Sequence, residues 1–183
     1  MIRWLRLAIG IGVVAAVTLV AAGATAGADD RPDGAPGALQ ERLTGYEEDP
    51  LVLSTTGAGE FSARIGPGDE ITYSLHYAAL EGTVTQAHIH LGGAAQSGGI
   101  SVFFCSNLGN GPAGTQACPP APATVTGTIR PADVIGPVGQ GIDAGQFAEL
   151  VAAIRAGVTY VNVHSTKYPG GEIRAQLGQG HHG

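Results

Sequence analysis

Residues 87–91 read Ala87-His88-Ile89-His90-Leu91, an alternation of apolar residues and histidines. Successive side chains of a β-strand point to opposite faces, so both imidazoles share one face and the apolar side chains share the other. The downstream stretch Tyr160-Val161-Asn162-Val163-His164 repeats the design, with its valines on one face and its polar side chains on the other. Together the two stretches predict a pair of strands with an apolar back and a histidine front.

Outward from this pair, the chain is a series of short alternating runs separated by turns rich in glycine, proline and acidic residues. The spacing of these runs is typical of an antiparallel sandwich or barrel of about eight strands. The expected strands fall at residues 39–46, 61–65, 71–77, 87–91, 100–104, 124–129, 158–164 and 172–177.

One helix is expected to interrupt the strands, because four apolar residues recur at the i, i+3, i+4 and i+7 spacing of a single helical stripe. Asp143, with Gln146 three residues on, is expected to cap its start, and Gly157 to end it. We expect this short helix to cross between sheets and cover an open end. The stripe consists of Phe147, Leu150, Val151 and Ile154.

The first 26 residues have the pattern of a secretory signal peptide. Arg3 and Arg6 precede an apolar run over residues 7–20, and small residues follow, so cleavage is expected within about residues 24–28. The apolar run is shorter than the roughly 20 residues that a spanning helix needs, although an uncleaved N-terminal anchor is the alternative. We therefore expect a secreted or extracellular protein, or one in the periplasm or cell-wall space, with no stable membrane span after cleavage.

Three further segments follow from composition. Residues 27–38 are rich in Gly, Pro, Ala and Asp and read as a flexible linker, residues 39–177 as one domain, and residues 178–183 as a flexible tail. In that tail, His181 and His182 are interpreted as solvated, with capture of a stray metal ion as the alternative.

The charge balance is acidic. Removal of the leader leaves seven basic side chains against fifteen acidic ones, which disfavours binding to nucleic acid or to anionic membranes. The acidic run Glu47-Glu48-Asp49 is interpreted as a solvated loop rather than a cation site.

The only two cysteines, Cys105 and Cys118, bracket a loop rich in Gly and Pro. In an exported protein this pair is expected to form a disulfide. Two free thiols acting as metal ligands are the alternative, although the spacing typical of a zinc site is missing.

Candidate chemistry rests on the histidines, since no nucleophile motif, phosphate-binding loop or zinc-protease motif is present. Neutral imidazole is a ligand for copper and zinc, and His88, His90 and His164 could form a three-point metal site. Hydrogen bonding across the sheet, or to the glycine-rich loop at residues 92–99, is the alternative. The remaining candidates are His76 as a further histidine and Tyr160, Asn162, Glu172 and Arg174 as residues supporting the site.

Four segments carry a resemblance to a known family: residues 43–50, residues 87–90 with Gly98-Gly99, residues 160–165 and residues 170–174. This pattern resembles the CHRD domain, which is named for its occurrence in chordin and is also found in many bacterial exported proteins. The resemblance covers residues 39–177. The chain departs from the family pattern at Asp49, where an apolar residue is common, and at Ala175, where glycine is common.

The resemblance implies an immunoglobulin-like β-sandwich, distantly similar in fold to copper/zinc superoxide dismutase, and no established enzymatic activity. The strand at residues 87–91 is similar to the His-x-His strand of the dismutases. Counterparts of the bridging histidine and of the loop aspartate are not evident, which argues against dismutase catalysis.

These observations predict a secreted, non-enzymatic β-sandwich with a binding or structural role toward an unknown extracellular protein or matrix component, carbohydrate included. The rival prediction is a copper- or zinc-binding protein, redox-active if the metal is copper, that uses His88, His90 and His164.

Overall fold

Eight strands and one α-helix make up the described part of the chain, residues 37–178, in a computed structural model. Helix α1 spans Phe147–Arg155, and single turns of 3-10 helix lie at Gly45–Glu47, Pro131–Asp133 and Val138–Gln140. The strands are β1 (Ala38–Thr44), β2 (Ala58–Gly66), β3 (Glu70–Ala78), β4 (Val84–Leu91), β5 (Gly99–Ser106), β6 (Ala123–Ile129), β7 (Thr159–Ser165) and β8 (Ile173–Leu177).

The strands form one antiparallel sheet in the order β5-β4-β7-β8-β1-β2-β3-β6. The sheet curls on itself, because Phe104 of β5 packs against Phe61 of β2 and Tyr73 of β3 with ring centroids 5.4 and 4.6 Å apart. The two edge strands, β5 and β6, also contact each other. The result is a nearly barrel-like sandwich, so the predicted all-β fold with about eight strands and one short helix is confirmed.

Burial along the strands shows that β3 has one solvated face, whereas β7 is buried on both faces. In β3, Ile71, Tyr73, Leu75 and Tyr77 are buried and alternate with exposed or half-buried residues, as a strand with one solvated face requires. Strand β7 is different, because all seven of its residues are buried. Its valines belong to the apolar core, and its polar face is therefore covered as well.

Helix α1 buries the predicted stripe in the same core, but it starts differently from the prediction. Its N-cap is Gln146, which makes no side-chain capping bond, so the expectation that Asp143 caps the helix is wrong. The side chain of Gln146 instead accepts a hydrogen bond from the backbone N–H of Asp143 at 2.8 Å. The predicted end is confirmed: Gly157 has φ 70°, and its N–H bonds to the carbonyl of Ile154.

The loop that follows β5 is joined to that strand by the Cys105–Cys118 disulfide, and no cysteine is free. Both cysteines are buried in the core. The alternative of two free thiols as metal ligands is therefore wrong for this structure.

Strand β1 ends at Thr44 rather than at Tyr46, because the chain turns into 3-10 helix at Gly45. Within residues 37–178, no helix is long and apolar enough to cross a membrane. The predicted signal peptide, most of the predicted linker and all but the first residue of the predicted tail lie outside the described residues.

Candidate metal centre

The candidate site lies on the polar face of three neighbouring strands, β4, β7 and β8. Register sets His88 opposite Asn162 and His90 opposite Tyr160, and it sets Asn162 opposite Arg174 in turn. The pairing of the two histidine strands that the sequence predicted is therefore present. Seven polar side chains of these strands are each at most 9 % exposed: His88, His90, Tyr160, Asn162, His164, Arg174 and Gln176.

Three histidines converge within this face. His88, His90 and His164 each offer one ring nitrogen, and these three atoms all lie within 4.8 Å of one another. The closest described pair is His88 Nδ1 and His164 Nε2, which are 3.2 Å apart. The sequence-predicted ligand set is therefore one spatial cluster, here called the histidine cluster.

Backbone carbonyls determine which nitrogen of two of these rings carries the proton. His90 Nδ1 lies 2.9 Å from the carbonyl of Gly98, and His164 Nδ1 lies 2.9 Å from the carbonyl of Pro169. A carbonyl can only accept a hydrogen bond, so Nδ1 is the donor in both rings and Nε2 carries the lone pair. A hydrogen bond of this kind to a carbonyl is the usual outer contact of a metal-ligating histidine.

Two nitrogens of the cluster are buried without a hydrogen-bond partner among residues 37–178. These atoms are Nε2 of His88 and Nε2 of His90, although the Asn162 side chain is close enough to His90 to raise its pKa against the effect of burial. Leaving a buried polar atom unpaired costs about 1–3 kcal/mol. The cluster therefore presents lone pairs that the protein itself does not satisfy.

Burial keeps the three imidazoles neutral. It lowers the pKa of His88 to about 2 and that of His90 to about 4, and it lowers the pKa of His164 as well. The neighbouring imidazoles add to the effect at His88, because each disfavours a positive charge on the other. The neutral form is the one that binds transition metals.

Aromatic contacts hold two of the ligand rings. Tyr160 stacks on His90 with ring centroids 4.8 Å apart and planes 2° apart, and the Arg174 guanidinium lies 3.5 Å from the centroid of Tyr160. Because β7 lies between β4 and β8, the tyrosine ring separates His90 from Arg174. Phe103 packs edge-on against His88, with centroids 4.3 Å apart.

The segment at residues 92–98 packs against this polar face next to His90 and is held there by hydrogen bonds from side chains of β4 and β8. Arg174 donates to the carbonyls of Gly93 and Gln96 at 2.8 and 3.1 Å, and Gln176 donates to the carbonyl of Gly92 at 2.9 Å. Gly98 has no room for a side chain, because an added Cβ would stand 1.6 Å from the carbonyl oxygen of Leu91. The sequence offered hydrogen bonding to this loop as the alternative role of the histidines, and among the described contacts His90 makes such a bond, to the carbonyl of Gly98.

Two of the other sequence candidates lie apart from the cluster. The carboxylate of Glu172 accepts hydrogen bonds from Thr55 Oγ1 at 2.7 Å and from the backbone N–H of Glu81 at 2.6 Å, and it makes no described bond to a histidine. His76 lies on β3, where its Nδ1 is 3.2 Å from Thr124 Oγ1.

Sequence reasoning missed Glu48, which it placed in a solvated loop. Glu48 is 8 % exposed, and burial raises its pKa to about 7, although the positive charge of Arg174 lowers it. Gly171 leaves room for this carboxylate, since an added Cβ there would stand 2.6 Å from Glu48 Oε2 and 2.8 Å from Asn162 Nδ2. The available signal was the position of Glu48 inside the segment 43–50 that carries the family pattern.

Comparison with known proteins gives one match. The family model described as the CHRD domain matches residues 39–177. No curated protein and no solved structure matches the chain.

Proposed function

The chain belongs to the CHRD-domain family, and from this premise we propose that it is an exported protein that binds one copper or zinc ion through His88, His90 and His164. The observation that carries the proposal is the burial of three converging neutral imidazoles, two of which have an unpaired Nε2. The acidic charge of the chain agrees with a partner that is a cation rather than a nucleic acid.

The tautomers favour a metal over a purely structural role. A cluster built only for hydrogen bonding would pair its ring nitrogens with one another or with the backbone. In this cluster the backbone takes Nδ1 of His90 and Nδ1 of His164, and His88 Nδ1 donates to His164 Nε2. Nε2 of His88 and Nε2 of His90 are left buried without a hydrogen bond, and these two lone pairs are what favours a metal.

Binding requires only a small adjustment of the rings. Transition-metal ions hold imidazole nitrogens at about 2.0–2.1 Å, so two ligand atoms on one ion are at most about 4.2 Å apart. The widest pair in the cluster is within 4.8 Å, so closure by about an ångström suffices. A copper ion held there would add one-electron redox capacity. A zinc ion would have no redox role and would only crosslink β4 and β7 through the histidines.

Export is proposed from residues 1–26 and supported by the buried disulfide, which is typical of oxidising compartments. Expression of the whole chain in a secreting bacterial host should deliver a product that lacks about the first 24–28 residues. The mass of that product should also be lower by two hydrogens than that of the reduced form. Recovery of only the uncleaved chain, inside the cell or in its membrane, would contradict export with cleavage.

The metal prediction is that tag-free protein binds one copper or zinc ion per chain, and that His88→Ala and His164→Ala each weaken binding by at least about 100-fold. Losing a ligand should exceed the 10–100-fold effect of losing an outer hydrogen-bond partner. Metal content by mass spectrometry and competition titration measure both quantities.

Two controls separate the cluster from other histidines of the chain. His76→Ala removes a half-buried imidazole on β3 and should leave the affinity unchanged. Replacement of both His181 and His182 by alanine should abolish only weak additional binding. Equal affinity in wild type and His88→Ala would refute the cluster as the site.

The second candidate is a module that binds an extracellular protein or matrix component. Its specific support is a group of three large apolar side chains, Tyr46, Leu51 and Val52, each more than two-thirds exposed. The metal experiment discriminates between the two candidates, because a chain that binds no metal would leave this role as the better account.

A further inference from the structure

We propose that the histidine cluster prefers the cuprous ion, Cu(I), to both Zn²⁺ and Cu²⁺. The inference rests on the proposed function, since it names the ion that the same site takes. Three observations carry it: the number of ligands, the exclusion of water, and the charge that surrounds the cluster.

The cluster supplies three ligands. Among residues 37–178, no fourth histidine, cysteine or carboxylate joins the group formed by His88, His90 and His164. Structural zinc sites are almost always four-coordinate, and Cu²⁺ favours a tetragonal arrangement of nitrogen and oxygen ligands. Both divalent ions would need a water molecule or a further protein group, whereas the d¹⁰ cuprous ion is satisfied by two or three ligands.

Access for such a water molecule is restricted. The three histidines are at most 7 % exposed, and Gly98 of the segment at residues 92–98 bonds to His90 through its carbonyl. Bonds from Arg174 and Gln176 fasten this segment at Gly93, Gln96 and Gly92. A three-coordinate ion fits a site that the protein has closed in this way.

Charge provides the third argument. All three ligands are neutral, so they cancel none of the ion's charge. The Arg174 guanidinium is buried, its charge acts on His90, and it forms no ion pair with a carboxylate of the described chain. The desolvation cost of an ion grows with the square of its charge, so a divalent ion costs about four times as much to bury as a monovalent one.

Two carboxylates act on this region, the buried Glu48 and the half-buried Asp49, whose Oδ2 accepts a hydrogen bond from Ser97 of the segment at residues 92–98. Glu48 is buried beside Gly171 and Asn162, and its Oε1 has no hydrogen-bond partner among the described residues. Because burial raises its pKa to about 7, a large fraction of Glu48 is uncharged at neutral pH. The buried carboxylate therefore compensates the positive charge of Arg174 only in part, and the uncompensated part weakens binding of Zn²⁺ and Cu²⁺ more than that of Cu(I).

The test compares three dissociation constants of the disulfide-bonded, tag-free chain at pH 7, with the tail histidines replaced by alanine. Cu(I) is titrated without oxygen against a bicinchoninate competitor, and Zn²⁺ and Cu²⁺ are titrated against chromophoric chelators. The dissociation constant of Cu(I) should be at least about tenfold below each of the other two, a difference of about 1.4 kcal/mol. A smaller gap, or a reversed order, overturns the preference while leaving metal binding itself intact.

Variants test the charge argument separately. Glu48→Gln removes the buried compensating carboxylate and should weaken Zn²⁺ binding at pH 8 by a larger factor than Cu(I) binding. Arg174→Met should have the opposite effect, and Arg130→Gln, which removes an exposed arginine paired with Glu70, should change neither constant. An unchanged ratio in Glu48→Gln contradicts the charge argument even if Arg174→Met does not fold. Absence of binding by all three ions would instead defeat the proposed function.

Discussion

Replacing Arg174 with alanine should lower the free energy of unfolding by about 3–5 kcal/mol, because two carbonyls lose their donor at about 1–3 kcal/mol each and the removed side chain leaves a cavity. Arg174 is 2 % exposed and is the largest of the fully buried side chains. The substitution would unpair the carbonyls of Gly93 and Gln96, uncover one face of the Tyr160 ring and leave a cavity. Denaturant unfolding of the metal-free protein, followed by circular dichroism, measures the change.

Two comparisons isolate the cause of this loss. Arg64→Ala removes an arginine from the exposed face of β2 and should change stability by less than about 0.5 kcal/mol. Arg174→Met retains most of the buried volume but cannot donate hydrogen bonds, so its loss should be smaller than that of Arg174→Ala. A loss below about 1 kcal/mol in Arg174→Ala would show that these contacts do not hold the segment at residues 92–98.

Arg174 shows which parts of the candidate site can be predicted from the sequence and which cannot. Strict alternation at residues 87–91 and 160–164 is enough to predict which side chains share a face, because a strand allows only two faces. The same reasoning placed Arg174 among the residues supporting the histidines. It could not predict that the guanidinium would bond to the loop at residues 92–98, because that contact depends on the β7–β8 neighbourhood.

Glu48 shows where sequence reasoning failed. A carboxylate is expected in solvent unless some group compensates its burial, and Gly171 and Arg174, which lie beside Glu48 or act on it, are distant in sequence. Thr55 and the backbone of Glu81 satisfy one oxygen of Glu172, so its contacts are with these two residues rather than with a histidine. Glu48 is buried where Gly171 leaves space, which only the folded chain reveals.

Metal-free protein should lose stability steeply as the pH falls below about 6.5, the ordinary pKa of histidine. Burial lowers the native pKa of His88 to about 2 and of His90 to about 4, so below pH 6.5 the unfolded chain binds protons that the native chain does not. Each such proton removes about 1.4 kcal/mol of stability per pH unit, and the lowered pKa of His164 acts in the same direction. This stability is fully present above pH 6.5 and is lost as the pH falls toward the native values.

Glu48 opposes this trend. Its pKa is raised from 4.5 to about 7, so its protonated native form stabilises the fold at low pH, and that contribution disappears as the pH rises through 7. Between pH 6.5 and 4.5 it offsets about one histidine. The net loss from His88, His90 and Glu48 over this interval is therefore about 2 kcal/mol, and the lowered pKa of His164 adds to it; chemical denaturation at a series of pH values would measure the total.

Variants assign this pH dependence to the histidine cluster. His88→Phe should reduce the slope by about 1.4 kcal/mol per pH unit, because one titrating group has been removed, whereas His76→Ala should leave it unchanged. Glu48→Gln should make the slope steeper by a similar amount, since the opposing group no longer titrates. Bound metal stabilises only the native chain, and protons compete with it for the same nitrogens, so added copper should protect the fold more at pH 7 than at pH 5. Stability that stays constant from pH 6.5 to 4.5 in metal-free protein would mean that these imidazoles are not buried and neutral, and the metal proposal would lose its main support.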